Sequence, residues 1–232
     1  MTGMLASVTD AAEAELALNA GADLIDCKDP RSGALGALPV STIDAIRQRV
    51  AGRRPVSATV GDLPPTATAL VPAVQRIAAT GVDFVKLGLF STAGLDALLD
   101  ALFPIAAEHR LIAVLFADRS PRLGIVADLA AAGFSGVMLD TADKARGRLP
   151  DLMPTDQLAA FVALTREYKL LCGLAGSLHL DDIPPLLTLA PDYLGFRGAL
   201  CEHDRKSALS AAACARVRAA VIQNRRVRPD EC

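Results

Sequence analysis

Short, nearly continuous apolar runs recur along the chain, each followed by a longer stretch in which apolar positions repeat at helical spacing. The runs cover residues 4–8, 24–28, 56–60, 84–87, 111–116, 136–140, 170–173 and 193–196. Apolar runs of this length bounded by turn signals predict strands buried on both faces. Between them the spacing predicts helices, for example over 10–20, 39–50, 65–80, 93–108, 155–168 and, last, 207–224.

The segments AGAD, TGVD and AGFSG stand just before the second, fourth and sixth strands and place Gly21, Gly81 and Gly133 where a helix should end in a left-handed cap. Strict alternation of strand and helix predicts a parallel sheet. Eight such units fit 232 residues at about 29 residues each and favour closure into a (β/α)8 TIM barrel. An open doubly wound sheet is the alternative; the missing Gly-rich fingerprint after the first strand weighs against it. No linker or low-complexity stretch interrupts the rhythm, so residues 1–232 read as one catalytic domain.

Composition adds limits. Apolar residues make up 52% of the chain, enough for a large core. Net charge is −2, Trp is absent and aromatics are 4%, which argues against a nucleic-acid platform. The basic tail of Arg225, Arg226 and Arg228 reads as a solvated terminus. Five cysteines, an odd number without a CxxC pair, favour reduced thiols over a disulfide framework and suggest a cytoplasmic protein. No signal-like N-terminus or membrane-length apolar run is expected.

The sequence breaks its own rule at strand ends. Buried strands should be apolar, yet Asp26 and Lys28 stand in LIDCK, Lys86 in FVKLG and Asp140 in GVMLD. Side chains at i and i+2 share one face of a strand, so Asp26 and Lys28 point the same way. Structural ion pairs at a barrel rim are the plain alternative. Charges from three strands converging on one end favour a site, because barrel enzymes draw catalytic residues from the C-terminal ends of several strands. A lysine among cations in a partly dry site loses preference for its ammonium form and can attack carbonyls.

The last two units carry Gly176 and Ser177 in CGLAGSLHL and Arg197 and Gly198 in LGFRGALC. Loops after strands seven and eight often hold a phosphate in barrels, so these four residues are candidate phosphate ligands; ordinary turn glycines are the alternative. Arg119 and Arg122 follow strand five, where they either reach a second phosphate or form a solvated loop. His109 reads as a residue capping a helix end; His179 and His203 sit in late loops without metal-ligand spacing, and no metal is expected.

Taken together, DLIDCKDPRSGALGA, DFVKLGLF, VMLDTADKARGRL, CGLAGSL and LGFRGALC resemble the (5-formylfuran-3-yl)methyl phosphate synthase family, also called 4-(hydroxymethyl)-2-furancarboxaldehyde-phosphate synthase. The resemblance spans most of the chain, from the second strand to about Arg205. It implies a TIM-barrel carbon–oxygen lyase that combines two glyceraldehyde 3-phosphates into a furan aldehyde phosphate for methanofuran-type one-carbon carriers. It also implies that Lys28 is the Schiff-base residue, that Lys86 is the general base, and that Asp26, Asp140 and Lys144 line the site, with no cofactor. Arg119 is carried as a further phosphate contact. The rivals are another class I aldolase acting on sugar phosphates and a non-catalytic phosphometabolite-binding barrel. The partner expected is the small-molecule substrate, without nucleic acid or membrane; a homo-oligomer is compatible with the sequence and not specified by it.

Overall fold

The computed structural model describes residues 1–91 and 93–223. Asn224, the tail arginines Arg225, Arg226 and Arg228, and Cys232 lie outside the described residues. Strands β1 (Gly3–Val8), β2 (Leu24–Cys27), β3 (Val56–Thr59), β4 (Phe84–Leu89), β5 (Leu111–Phe116), β6 (Gly136–Asp140), β7 (Leu171–Leu174) and β8 (Tyr193–Phe196) form a closed barrel in sequence order. Every neighbouring pair is parallel, and β1 closes on β8. The expected strands are present with small shifts at their ends. β2 stops at Cys27, yet the Lys28 N–H still donates to the Val8 carbonyl at 3.1 Å and so extends the ladder.

The helices are α1 (Ala11–Asn19), α2 (Val40–Val50), α3 (Ala67–Ala78), α4 (Leu95–Glu108), α5 (Ile125–Ala131), α6 (Leu149–Leu152), α7 (Thr155–Glu167), α8 (Ile183–Thr188) and α9 (Ala211–Gln223). α2 shows how the pattern acts. Ile43, Ile46 and Val50, at i, i+3 and i+7, are buried, while Ala45, Gln48 and Arg49 face solvent. Each such buried aliphatic contributes about 1.5–3 kcal/mol relative to exposure. Gly21, Gly81 and Gly133 take φ of +85°, +72° and +80°, turning helix into strand as expected.

Two apolar bodies result. The larger one lies between the sheet and the helices. The smaller fills the barrel and includes Leu5, Ile112, Val114, Phe116, Met138 and Tyr193. Leu35 of the β2–α2 loop joins this inner group and is fully buried. The Asp62 carboxylate holds that loop by accepting the Ala34 and Leu35 N–H groups at 2.8 and 2.7 Å. Apolar filling is incomplete: on the β1–β4 side, Ser7, Asp26, Ser57 and Lys86 are buried instead.

Candidate active site

Neighbouring strands set the first polar group. Register pairs Ser7 with Asp26 and Asp26 with Ser57. The Asp26 carboxylate, fully buried, accepts hydrogen bonds from Ser7 Oγ at 2.9 Å, Ser57 Oγ at 2.7 Å and Lys86 Nζ at 3.0 Å. Burial pushes the Asp26 carboxyl up, but Lys86 and Lys28 outweigh it and hold it below the ordinary range. Burial draws the Lys86 ammonium below the ordinary lysine range, against the opposing pull of Asp26. Lys86 is 1% exposed.

The second group sits at the C-terminal end of the strands. Asp140 closes β6, and its Oδ1 accepts from the Thr141 N–H at 2.7 Å and from Lys144 Nζ at 2.5 Å. Lys144 also donates to the Thr141 carbonyl at 2.5 Å and the Thr141 hydroxyl at 3.0 Å, so its three N–H groups are engaged. Lys28 Nζ lies 3.6 Å from Asp140 Oδ2. Among the described residues it donates no hydrogen bond, leaving its nitrogen available. Burial raises the Asp140 pKa, but Lys144 and Lys28 outweigh it and hold the carboxyl well below the ordinary range. Burial lowers that of Lys144, with Asp140 opposing.

Lys28, Asp140 and Lys144 line a cavity of about 360 Å³, together with Gly176, Ser177 and Gly198 of the β7 and β8 loops. Gly176 has φ +112°, and a Cβ there would stand 2.8 Å from Thr141 Cγ2, so the β7 loop packs directly on the segment that carries Lys144. The N–H groups of Gly176, Ser177 and Gly198 donate to no described residue, which leaves three backbone donors at the cavity. Asp26 and Lys86 do not line this cavity. Lys86 instead touches a smaller one of about 190 Å³ at the opposite barrel mouth, beside Phe84, Ile112 and Tyr193.

Two expected phosphate contacts are placed differently by the structure. Arg197 lines the cavity, but its guanidinium is not free for a phosphate. Nε donates to the Arg205 carbonyl at 2.9 Å; Nη1 to Glu13 Oε2 at 2.5 Å and the Ser7 carbonyl at 3.2 Å; Nη2 to the Ser207 carbonyl at 2.8 Å and Glu13 Oε1 at 3.2 Å. Glu13, on α1, is buried with it. Arg119 lies outside the Lys28 cavity. With Arg122 and Phe90 it lines a neighbouring one of about 300 Å³ beyond β4 and β5. The adjacent Asp118 folds this turn inward by accepting the Ala142 and Asp143 N–H groups at 2.7 and 3.1 Å. Sequence reasoning missed Arg205, which lines the Lys28 cavity, and gave no role to His179 and His203, which also line it. The only signal for Arg205 was a basic pair, Arg205–Lys206, in the loop after strand eight. Among the described residues no helix is long and apolar enough to cross a membrane.

The family model described as 4-HFC-P synthase matches residues 4–218. A (5-formylfuran-3-yl)methyl phosphate synthase of Methanopyrus kandleri is 36% identical over 213 residues, covering 86% of this chain and 90% of the relative. A Methylorubrum extorquens protein that carries the same name provisionally is 50% identical over 210 residues, covering 90% and 87%. Among solved structures, phosphoribosyl anthranilate isomerase from Thermus thermophilus gives a TM-score of 0.69 at 16% identity, over 96% of this chain and 99% of that one; this likeness shows the shared barrel fold alone.

Proposed function

This chain belongs to the 4-HFC-P synthase family, and from that membership we propose that it joins two molecules of glyceraldehyde 3-phosphate through an imine on Lys28. The products are (5-formylfuran-3-yl)methyl phosphate, one inorganic phosphate and two waters, which balances the atoms of two triose phosphates. One observation carries the reading: Lys28 Nζ faces the cavity without a hydrogen bond, 3.6 Å from a carboxylate.

Each residue then has a task. The Lys28 amine adds to a triose carbonyl, and loss of water gives the imine. The iminium draws electrons from the adjacent C–H bond, and the carbanion formed there, as an enamine, attacks the second aldehyde or expels the β-phosphate. Asp140, beside Lys28, moves protons during imine formation and loss. Lys86 takes the carbon-bound proton; its burial favours the neutral amine that a base requires. Its seat below the cavity lining means that substrate must reach down to it, or water must relay the proton. The free N–H groups of the β7 and β8 loops suit a phosphate dianion. No step calls on a metal or organic cofactor. Ring closure and loss of water complete the furan, which serves a furan-containing one-carbon carrier.

Incubation with glyceraldehyde 3-phosphate should yield an ultraviolet-absorbing furan of the expected mass. Borohydride added during turnover should inactivate the protein and leave one reduced adduct on Lys28. Cleavage of a ketose bisphosphate with no furan product would assign the site to an aldolase instead.

A further inference from the structure

A cation of the cavity remains without a task in this chemistry. With Arg197 spent on Glu13, the phosphate lacks the guanidinium that sequence assigns to it. Arg205 supplies another. It is half-buried and lines the cavity with Lys28, Lys144 and Gly198. A Cβ placed on Gly198 would stand 3.9 Å from Arg205 Cβ, so the two residues lie side by side in the cavity lining. Among the described residues its guanidinium donates one hydrogen bond, from Nη2 to the Gly33 carbonyl at 3.0 Å. A guanidinium has five donors in a planar fork, so most of this fork is uncommitted. The Lys28, Lys144 and Arg205 cations face the Asp140 and Asp204 carboxylates around the same space, a positive excess that favours an anion.

We propose that Arg205 is the guanidinium that grips the phosphate of the lysine-bound triose, alongside the Gly176, Ser177 and Gly198 N–H groups. Arg197 has the supporting part: by bonding the Arg205 carbonyl and the Ser207 carbonyl while anchored to Glu13, it fixes the loop from which Arg205 projects. The Gly33 contact ties the same side chain to the loop that follows Lys28, so the grip and the nucleophile share one frame. This assignment rests on the imine reading of the cavity for the identity of the triose, but phosphate binding itself can be measured without it.

The test compares phosphorylated and unphosphorylated aldehydes. Imine formation on Lys28 is read by borohydride trapping and mass analysis with glyceraldehyde 3-phosphate and with glyceraldehyde, in the wild type, Arg205→Ala and Arg205→Lys. Inorganic phosphate binding is read by calorimetry in the same proteins. Arg205→Ala should slow trapping of the triose phosphate at subsaturating concentration by about 10- to 100-fold, the usual worth of a charged hydrogen-bonding contact, and weaken phosphate binding by a similar factor. Trapping of glyceraldehyde should stay within about twofold, and Arg205→Lys should recover part of the loss. Equal losses with both aldehydes, or unchanged phosphate affinity in Arg205→Ala, would overturn the assignment. A wild type that forms no furan while Arg205→Ala still loses phosphate affinity would sink the furan chemistry and support the phosphate grip.

Discussion

Two lysine–carboxylate groups share the barrel and have opposite surroundings. Asp26 and Lys86 sit in mid-barrel, 0% and 1% exposed, with the carboxylate bonded to two serines and the lysine. Asp140, Lys28 and Lys144 sit at the strand ends and line the cavity. There the carboxylate is bonded firmly to Lys144 and touches Lys28 only as an ion pair. The residue types are the same; the depth along the strand differs. Depth decides which lysine is bonded to its carboxylate inside the barrel and which lines the cavity without donating a hydrogen bond among the described residues.

The comparison breaks most visibly at the two lysines, Lys28 and Lys86. Lys28→Met should remove the trapped adduct and lower furan formation by at least about 10³-fold, as expected for loss of a nucleophile. Lys86→Met should lower turnover by about 10²–10⁴-fold, the range for a general base, while an adduct on Lys28 still forms. An adduct lost from Lys86→Met and kept in Lys28→Met, as seen by peptide mapping, would exchange their roles.

Next in size is the stability difference between the carboxylates. Asp26→Asn leaves Lys86 without its counter-charge in the barrel and should cost about 3–5 kcal/mol in urea melts. Asp140→Asn should cost less, because Lys144 keeps its Thr141 contacts and has 19% of its side chain exposed, yet it should slow turnover more than it lowers stability. Acid should act on both carboxylates with one sign. Each has a folded pKa below its unfolded value, so the stability they confer is complete above the ordinary carboxylate range of about 4 and is lost as pH falls through and below it. Urea midpoints should therefore drop below about pH 4 in the wild type, and the drop should be shallower in Asp140→Asn. An equally steep drop in that variant would mean that Asp140 contributes nothing to the acid limb.

How much of this was readable from sequence follows from the same distinction of depth and reach. Strand runs are local, and a charged residue inside one is visible at once; Asp26, Lys28, Lys86 and Asp140 stood out for that reason, and Lys144 lies four residues beyond Asp140, past the loop that follows that strand. The partner of Arg197 was not visible, because Glu13 lies 184 residues away and looks like an ordinary acidic residue in a first helical turn. The direction of the turn carrying Arg119 depends on Asp118 reaching the loop after β6, a contact between elements. The helices α5, α6 and α8, of 7, 4 and 6 residues, are too short for apolar periodicity to single them out.

The smallest expected effect is also the one that separates the two groups by sign. Asp140 is held ionised chiefly by Lys144, against the upward push of burial. Lys144→Gln removes that cation while keeping a side chain able to donate to Thr141, so the Asp140 pKa should rise. Lys144 is partly exposed and, among the described residues, hydrogen-bonded to Asp140 and Thr141 of its own segment, which limits the stability change to about 1 kcal/mol. If Asp140 accepts protons during imine formation, the acid limb of the trapping rate moves to higher pH, and the rate at pH 8 falls by less than about tenfold. Asp26→Asn should do the reverse to turnover: losing the carboxylate that favours the Lys86 ammonium lowers the Lys86 pKa further, so the limb governed by a neutral base moves to lower pH. Profiles of trapping and of furan formation in the two variants can be recorded side by side. Shifts in the same direction would mean that one titration governs both, and the division between a deep base and a pocket-lining nucleophile would have to be abandoned.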